Sequence, residues 1–356
     1  MESIRIYLIS NMYPSVESPN FGVFVRNFER DFPSEKLVLV DKTVIEGKKS
    51  GFNLLIAYLL FFVEVIKKLH RGDFDAVYVH YLQHSLIPFH FWRNKSGKKV
   101  ILNAHGTDIL GKGKLYEGIR KWNQSIFDRA DLVIVPSFFF IEKLTQLGVN
   151  PDRLEVYPSG GINPEIFFPA EEKASPQYRL GYLGRIDSGK GVDTLIRAFS
   201  KLPLANIALE ICGPGSQREE MERLAQTLEV NQRVSFLGNI SQEKIREIFL
   251  RWDALVFPSE LEESLGLVGL EAMSCGLPVI GTGEGGMSTY LISNENGIVF
   301  EPGNVSQLVE KISDFYRQDQ AFRNRLAKKA IVTASRYHSK RVNSALRNRI
   351  QALFSA

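Results

Sequence analysis

Cysteine is nearly absent: of 356 residues only Cys212 and Cys275 are thiols, each inside an apparent regular element. Two such residues give no disulfide framework, so ordinary cores must hold the fold, and a reducing cytosol is the expected setting. Long apolar runs are missing as well. No stretch reaches the roughly 18–20 apolar residues needed to cross a bilayer. The closest run, residues 52–63, stops at Glu64 and is expected to form a buried helix. The first ten residues carry Glu2 and Arg5 in a strand-like pattern, unlike a signal peptide. An excess of one charge is lacking too: 44 Lys and Arg face 40 Asp and Glu, a net charge of only +4, and no nucleic-acid partner is expected. The exception is local. Residues 317–349 hold ten Lys and Arg against one acid, Asp319. That tail reads either as the solvated face of two terminal helices or as a contact for anionic lipid or an anionic acceptor.

What is present is length and alternation. A chain of 356 residues, 44% hydrophobic, can fill two cores of ordinary size. Short β-branched and aromatic runs alternate with helical stretches through both halves, which predicts an α/β protein with two doubly wound parallel sheets. Residues 170–177 are polar and contain a proline, and the domain boundary is placed there. The predicted division is an N-terminal domain over 1–170, a C-terminal domain over 178–335 and a last helix over 336–356.

The stretch 257–280 concentrates the chemistry. It reads as a strand end closed by Pro258, a loop, and a helix capped by Ser264 that runs to about Cys275. Gly276 stops the helix, Pro278 follows, and a buried strand comes next. Glu263 stands at the loop end and Glu271 within the helix. Between them the N–H groups of Ser264, Leu265, Gly266, Leu267 and Val268 lie near a helix start, where unsatisfied donors favour a phosphate. Eight positions at the helical rise span roughly 12 Å, too far to share one proton but suited to the two ends of an elongated ligand. Carboxylate, anion seat and carboxylate together suit a nucleotide diphosphate-sugar. The alternative is an amphipathic helix whose two glutamates face water.

A second cluster follows the predicted strand 179–183. Gly184 and Gly189 allow tight turns, while Arg185 and Lys190 put a guanidinium fork and an ammonium into one loop beside a helix start. That combination can clamp a diphosphate. It is not a Walker loop, because the glycine–lysine spacing differs and the Ser or Thr is missing. The strand 207–212 ends at Gly213-Pro214-Gly215, a turn that permits close approach. In the first half, Gly22 lies between a strand and a helix, again an arrangement that can bring N–H groups to a phosphate. His105 and Asp108 follow the strand 98–103, at the carboxyl edge where open α/β sheets keep their sites. Gly106 permits the turn that would aim both into a crevice. Asp73 and Asp75 begin a strand and read as solvated turn residues. His80, His84 and His105 lack the spacing of a zinc site.

These residues carry a resemblance. Pro258-Ser259, Glu263 and Glu271 eight apart, Glu-Ala-Met-x-x-Gly-x-Pro-Val, and the Gly184-Arg185…Lys190-Gly191 loop resemble the retaining glycosyltransferases of family 4, the glycosyl transferases group 1. The segments 105–108 and 296–303 are similar too. The resemblance implies the GT-B fold: two Rossmann-like domains facing a central cleft, with the last helix crossing back onto the first. It implies that Glu263 meets the sugar hydroxyls, Glu271 the ribose, and Arg185 and Lys190 the departing diphosphate. Gly22 would face the donor phosphates and the backbone at Gly238 the base. His105 would lie beside the reaction centre, with Asp108 on the acceptor side. Ile162 and Asn163 stand where the family usually has Val and Asp, and Phe21 replaces the first of two adjacent glycines.

The resulting expectation is a retaining glycosyltransferase that needs no metal or other cofactor. Its donor would be a UDP- or GDP-sugar and its acceptor a glycan or lipid-linked saccharide, in a cell-surface polysaccharide pathway. It would be cytoplasmic, and the basic tail permits peripheral contact with the inner face of the membrane without requiring it. A nucleotide-sugar epimerase and a non-catalytic glycan- or nucleotide-sugar-binding protein are the rival readings.

Overall fold

Apolar runs of four to six residues, bounded by glycine, proline and polar turns, are what a parallel strand covered on both faces requires. The computed structural model describes residues 2–19, 21–94, 96–111, 113–170, 178–204 and 206–355. Such runs form the central strands of two separate six-stranded parallel sheets within it. The first contains β1 (Ile4–Tyr13), β2 (Leu37–Glu46), β3 (Ala76–His80), β4 (Lys99–Asn103), β5 (Leu132–Val135) and β6 (Leu154–Val156), in the order β2-β1-β3-β4-β5-β6. The second contains β7 (Tyr178–Leu183), β8 (Ile207–Cys212), β9 (Val234–Gly238), β10 (Ala254–Phe257), β11 (Val279–Gly281) and β12 (Ile298–Val299), in the order β12-β11-β10-β7-β8-β9.

Helices cover both faces of each sheet. In the first, Val77, Val79 and Val133 point into one core while Ile6, Leu8, Tyr78 and Ile134 point into another. In the second, Leu180, Leu209 and Val256 fill one side and Leu255, Phe257 and Val279 the other. The strand order reverses between β1 and β3 in the first sheet and between β7 and β10 in the second. At such a reversal, neighbouring strands send their connections to opposite faces and leave a crevice at their carboxyl ends.

The two compact units comprise residues 1–160 with 340–356, and residues 161–339. The division falls earlier than the polar stretch that suggested a boundary; residues 171–177 of that stretch lie outside the described residues. The reason is packing. Ile162 and Phe167 are buried in the second unit's core beside Phe249, Trp252 and Met273, and Ser274 donates to the Phe167 carbonyl.

The helix Ser339–Ala352 packs in the first unit. Val342, Leu346 and Ile350 join Ile6, Leu8 and Phe28 in its core, and Tyr157 donates a buried hydrogen bond to Asn343 Oδ1 at 2.7 Å. Three arginines of the basic tail are tied down, while Arg325, Lys328, Lys329, Arg336 and Arg341 are exposed. Arg347 donates to the Phe32 carbonyl at 2.8 Å, Arg349 to that of Asp152 at 2.8 Å, and Arg323 to that of Tyr316 at 2.6 Å. These cations serve as anchors within their own units.

The run at 52–63 corrects an expectation. It forms the start of the helix Gly51–Arg71, but only one face is buried: Phe61, Val65 and Leu69 enter the core. Phe52, Leu55, Leu59 and Leu60 remain exposed. An uncharged, largely apolar run cannot report which of its faces meets a neighbour.

Leu346→Ala should remove a buried side chain of the returning helix and destabilise the first unit by about 2–5 kcal/mol. Urea unfolding measures it; an unchanged midpoint would show that the helix is not part of that core.

Candidate functional site

The second unit builds its site from the loops that leave the adjacent strands β7 and β10. Gly191, at a φ of 69°, caps the helix Val192–Ser200, and a methyl group there would lie 2.0 Å from the Pro258 carbonyl oxygen. Glu260 N–H donates to the Gly189 carbonyl at 2.8 Å. The two loops therefore touch backbone to backbone, and Lys190 is carried directly onto the acidic loop. Its Nζ lies 2.7 Å from Glu263 Oε1, with side chains only 17% and 15% exposed. Ser259 Oγ donates to the same carboxylate oxygen at 2.6 Å. Glu263 Oε2 takes no hydrogen bond among the described residues. One oxygen is thus fixed by the protein and the other is left to accept.

Glu263 is not on the helix. It forms an isolated bridge with Gly285, and its carbonyl accepts from Gly286 N–H at 2.6 Å. The helix spans Leu267–Ser274, capped by Gly266 in the left-handed region at a φ of 78°, so Ser264 is not the cap. The physical reason is crowding. A side chain at 266 would meet Phe257 and Tyr290 at 3.1 Å, and Tyr290 Oη donates to the Gly266 carbonyl at 2.8 Å. The estimate of reach from the helical rise therefore does not apply between 263 and 271. The donors of this helix start are the N–H groups of Leu267 and Val268, which have no intrahelical acceptor. Gly269 N–H already bonds the Gly266 carbonyl. Leu265 is a buried core residue whose side chain fixes the loop. Burial pushes the Glu271 carboxyl up to about 7.

Arg185 is more loosely held. Its guanidinium meets Asp187 at 3.0 Å, but the side chain is 69% exposed and can swing to an anion. Asp187 is held below the usual carboxylate range chiefly by hydrogen bonds from Ser216, which tie the β7 loop to the β8 loop. Gly213 serves the same contact: a side chain there would lie 1.9 Å from the Gly184 carbonyl oxygen. Gly213 N–H donates to the Gly238 carbonyl at 2.7 Å. Gly184, Gly213 and Gly238 therefore form a stack of backbones at the carboxyl ends of β7, β8 and β9.

The first unit gathers His80, His105, Asp108 and Gly22 near its own strand reversal. His80 ends β3 and faces Asn103 in register, so His105, two residues beyond β4, reaches it. His80 Nδ1 and His105 Nε2 lie 2.9 Å apart in a hydrogen bond. Burial, with the neighbouring imidazole as a second cause, holds His80 well below its ordinary value, and burial brings His105 down to about 3. Both rings are neutral at physiological pH, one giving the proton and the other the lone pair. Phe24, in the helix Val23–Asp31, lies 4.0 Å from the His105 ring, centroid to centroid. Gly22 caps that helix, and a side chain there would lie 2.6 Å from the Met12 carbonyl carbon.

Asp108 is a correction. It is not aimed into a crevice but is 4% exposed, accepting from His105 N–H at 2.8 Å and Leu82 N–H at 2.9 Å. It joins the loops after β3 and β4, and burial pushes its carboxyl up to about 6. Sequence reasoning missed His80 as the partner of His105, Ser259 as that of Glu263, and Tyr290 behind the helix start. Aligning the carboxyl ends of consecutive strands would have found the first. The other two depend on loop geometry with no local pattern.

A cavity of about 1260 Å³ opens elsewhere, at the amino ends of β7, β8 and β10 beside Tyr178, Ile207 and Asp253. Open parallel sheets hold ligands at the carboxyl ends, so the loop cluster is the candidate donor site.

Two family models match the chain: Glycosyltransferase Family 4 over residues 21–164 and Glycosyl transferases group 1 over residues 164–333. A D-inositol 3-phosphate glycosyltransferase of Mycolicibacterium smegmatis is 28% identical over 271 residues, 70% of this chain and 61% of that relative. An N-acetyl-alpha-D-glucosaminyl L-malate synthase of Bacillus anthracis is 26% identical over 71% of this chain and 68% of its own. The matched part therefore spans less than two thirds of the first relative's length. Among solved structures, HepE of Anabaena in complex with UDP aligns with a TM-score of 0.79 at 18% identity, covering 98% of this chain and all of that one. Sucrose-phosphate synthase of Thermosynechococcus elongatus aligns with a TM-score of 0.79 at 21% identity, covering 99% of each chain. The fold is GT-B.

Glu271 binds its proton more tightly folded than unfolded, so it withdraws stability as pH rises from about 4.5 to about 7. Glu271→Gln should accordingly gain stability relative to the parent across that window and level off above it. Urea unfolding at several pH values checks the difference; a constant offset would contradict the burial assigned to this carboxyl.

Proposed function

Because the chain belongs to the family 4 glycosyltransferases, we propose that it transfers a sugar, with retention, from a UDP- or GDP-sugar to a glycan or lipid-linked saccharide. The observation that supports this most is the Lys190–Glu263 pair beside the helix start at Leu267. It places a cation, two free N–H donors and a half-satisfied carboxylate in one loop cluster.

In this reading Lys190 keeps one N–H on Glu263 and offers its others to the diphosphate. The exposed Arg185 fork swings onto the same anion, and Leu267 and Val268 N–H complete the seat. Glu263 Oε2 accepts from a sugar hydroxyl and Glu271 from the ribose. The acceptor hydroxyl oxygen attacks the anomeric carbon on the face the diphosphate leaves. The C–O bond to phosphate breaks, its electron pair stays with the diphosphate, and the hydroxyl proton passes to the departing phosphate oxygen. Cations set before the reaction where that charge develops lower the barrier without reorganisation. His105, kept neutral and held by His80, is a hydrogen-bonding group for the sugar. A cytoplasmic enzyme of surface-polysaccharide synthesis, independent of metal, is the setting that fits these roles. HepE, the structural neighbour bound to UDP, makes UDP the first nucleotide to test.

Lys190→Ala and Glu263→Ala should each lower transfer roughly 10²–10³-fold, measured with radiolabelled donor. Near-normal transfer by both would sink the assignment. Release of an altered sugar nucleotide without acceptor would indicate an epimerase instead. Nucleotide affinity should also weaken roughly tenfold between about pH 8 and about pH 6, since the ribose needs Glu271 ionised. Titration calorimetry reads it, and Glu271→Gln should flatten the profile.

A further inference from the structure

The outward face of the helix Gly51–Arg71 is apolar for three turns. Phe52, Leu55, Ile56, Leu59, Leu60 and Val63 recur at spacings of three and four, which places them on one stripe opposite the buried Phe61, Val65 and Leu69. Phe52 is 74% exposed, Leu55 66%, Leu60 64% and Leu59 61%. Scattered apolar residues on a surface need no explanation, but a contiguous stripe of this kind marks an interaction site. Cations bracket it. Exposed Lys48 and Lys49 precede the helix, and exposed Lys67 follows the stripe near its end, with Arg71 beyond it paired to Asp73 at 2.7 Å. Glu64, the acid beside it, is paired with Lys68 at 2.7 Å.

We propose that this stripe lies in the interface of a membrane whose surface carries anionic phospholipid, with the flanking lysines on the headgroups. The stripe's twelve residues, from Phe52 to Val63, span roughly 17 Å, too short to cross the hydrocarbon but suited to lying in its boundary. No helix among the described residues is long and apolar enough to cross a membrane. Charge decides against a second copy of the chain. An antiparallel isologous contact through this stripe would bring Lys48 and Lys49 of one copy against Lys67 of the other, whereas anionic headgroups attract both ends. Next along the surface, the short 3-10 helix Ile87–Phe91 packs against this helix and presents Phe91, 61% exposed, beside exposed Arg93. This contact runs through the helix; in the basic tail Arg323, Arg347 and Arg349 are engaged within the fold. It goes beyond the sugar-transfer reading and does not depend on it.

The test is flotation of the full chain with vesicles of phosphatidylcholine alone and with about 30% phosphatidylglycerol, at low and high salt. The parent should float with the anionic vesicles and release as salt rises. A Leu59→Glu/Leu60→Glu variant should lose roughly tenfold or more in partitioning, and Lys48→Ser/Lys49→Ser should lose the preference for anionic lipid. Both pairs are exposed, so unchanged thermal midpoints confirm that the variants fold. Absence of vesicle binding, or binding unaffected by the glutamates, would overturn the proposal. So would a dimer, seen by light scattering, that the glutamates dissolve. Vesicle binding needs no nucleotide, so its failure leaves sugar transfer standing, and loss of transfer leaves vesicle binding standing.

Discussion

One ion pair organises the second unit's site. Lys190 and Glu263 come from loops after different strands, yet their charges sit 2.7 Å apart in a largely enclosed place. Enclosure makes such a pair costly to break, because either partner alone would be a desolvated, uncompensated charge. The contact is possible only because β7 and β10 are neighbours where the strand order reverses. It also requires Gly191 to let the helix after β7 come within reach of Pro258. Topology, glycine and charge therefore converge on one point, and a cation is held with its remaining donors pointing away from its own carboxylate.

The two units solve the same problem with different chemistry. In the second, the loops after β7 and β10 meet at the reversal and put charged groups there, while backbones stack beside it through Gly184, Gly213 and Gly238. At the reversal in the first, aromatic packing encloses two imidazoles: Phe24 and Phe28 lie against His105 and His80. The first is suited to an anion and the second to neutral hydrogen bonding. Asp108 supports the second by taking two loop N–H groups and so fixing where His105 stands.

Much of this was legible in the sequence, and the limits follow from what a linear pattern carries. Strands such as 76–80, 207–212 and 254–257 were readable because a strand buried on both faces must be a continuous apolar run. Lys190 and Glu263, singled out in the sequence for residue type and spacing, are brought together by the structure. The start of the helix at Leu267 was not readable, because Ser264 is a good capping residue and only the packing of Phe257 and the more distant Tyr290 reveals that Gly266 takes the role. Asp108 was misplaced for the same reason, since a carboxylate beside a turn glycine reads equally as a ligand group or an anchor. The helix at 51–71 shows the third limit: where both faces are apolar, periodicity does not say which one is covered.

The central claim is that the nucleotide diphosphate sits on the Lys190–Glu263 cluster. Amide hydrogen exchange of the full chain, with and without saturating UDP or GDP, tests it most directly. The account predicts slowed exchange at the loops 184–191 and 260–268 and the first turn of the helix Leu267–Ser274. Slowed exchange instead around Tyr178, Ile207 and Asp253, at the amino ends of the strands, or no change with either nucleotide, would contradict it.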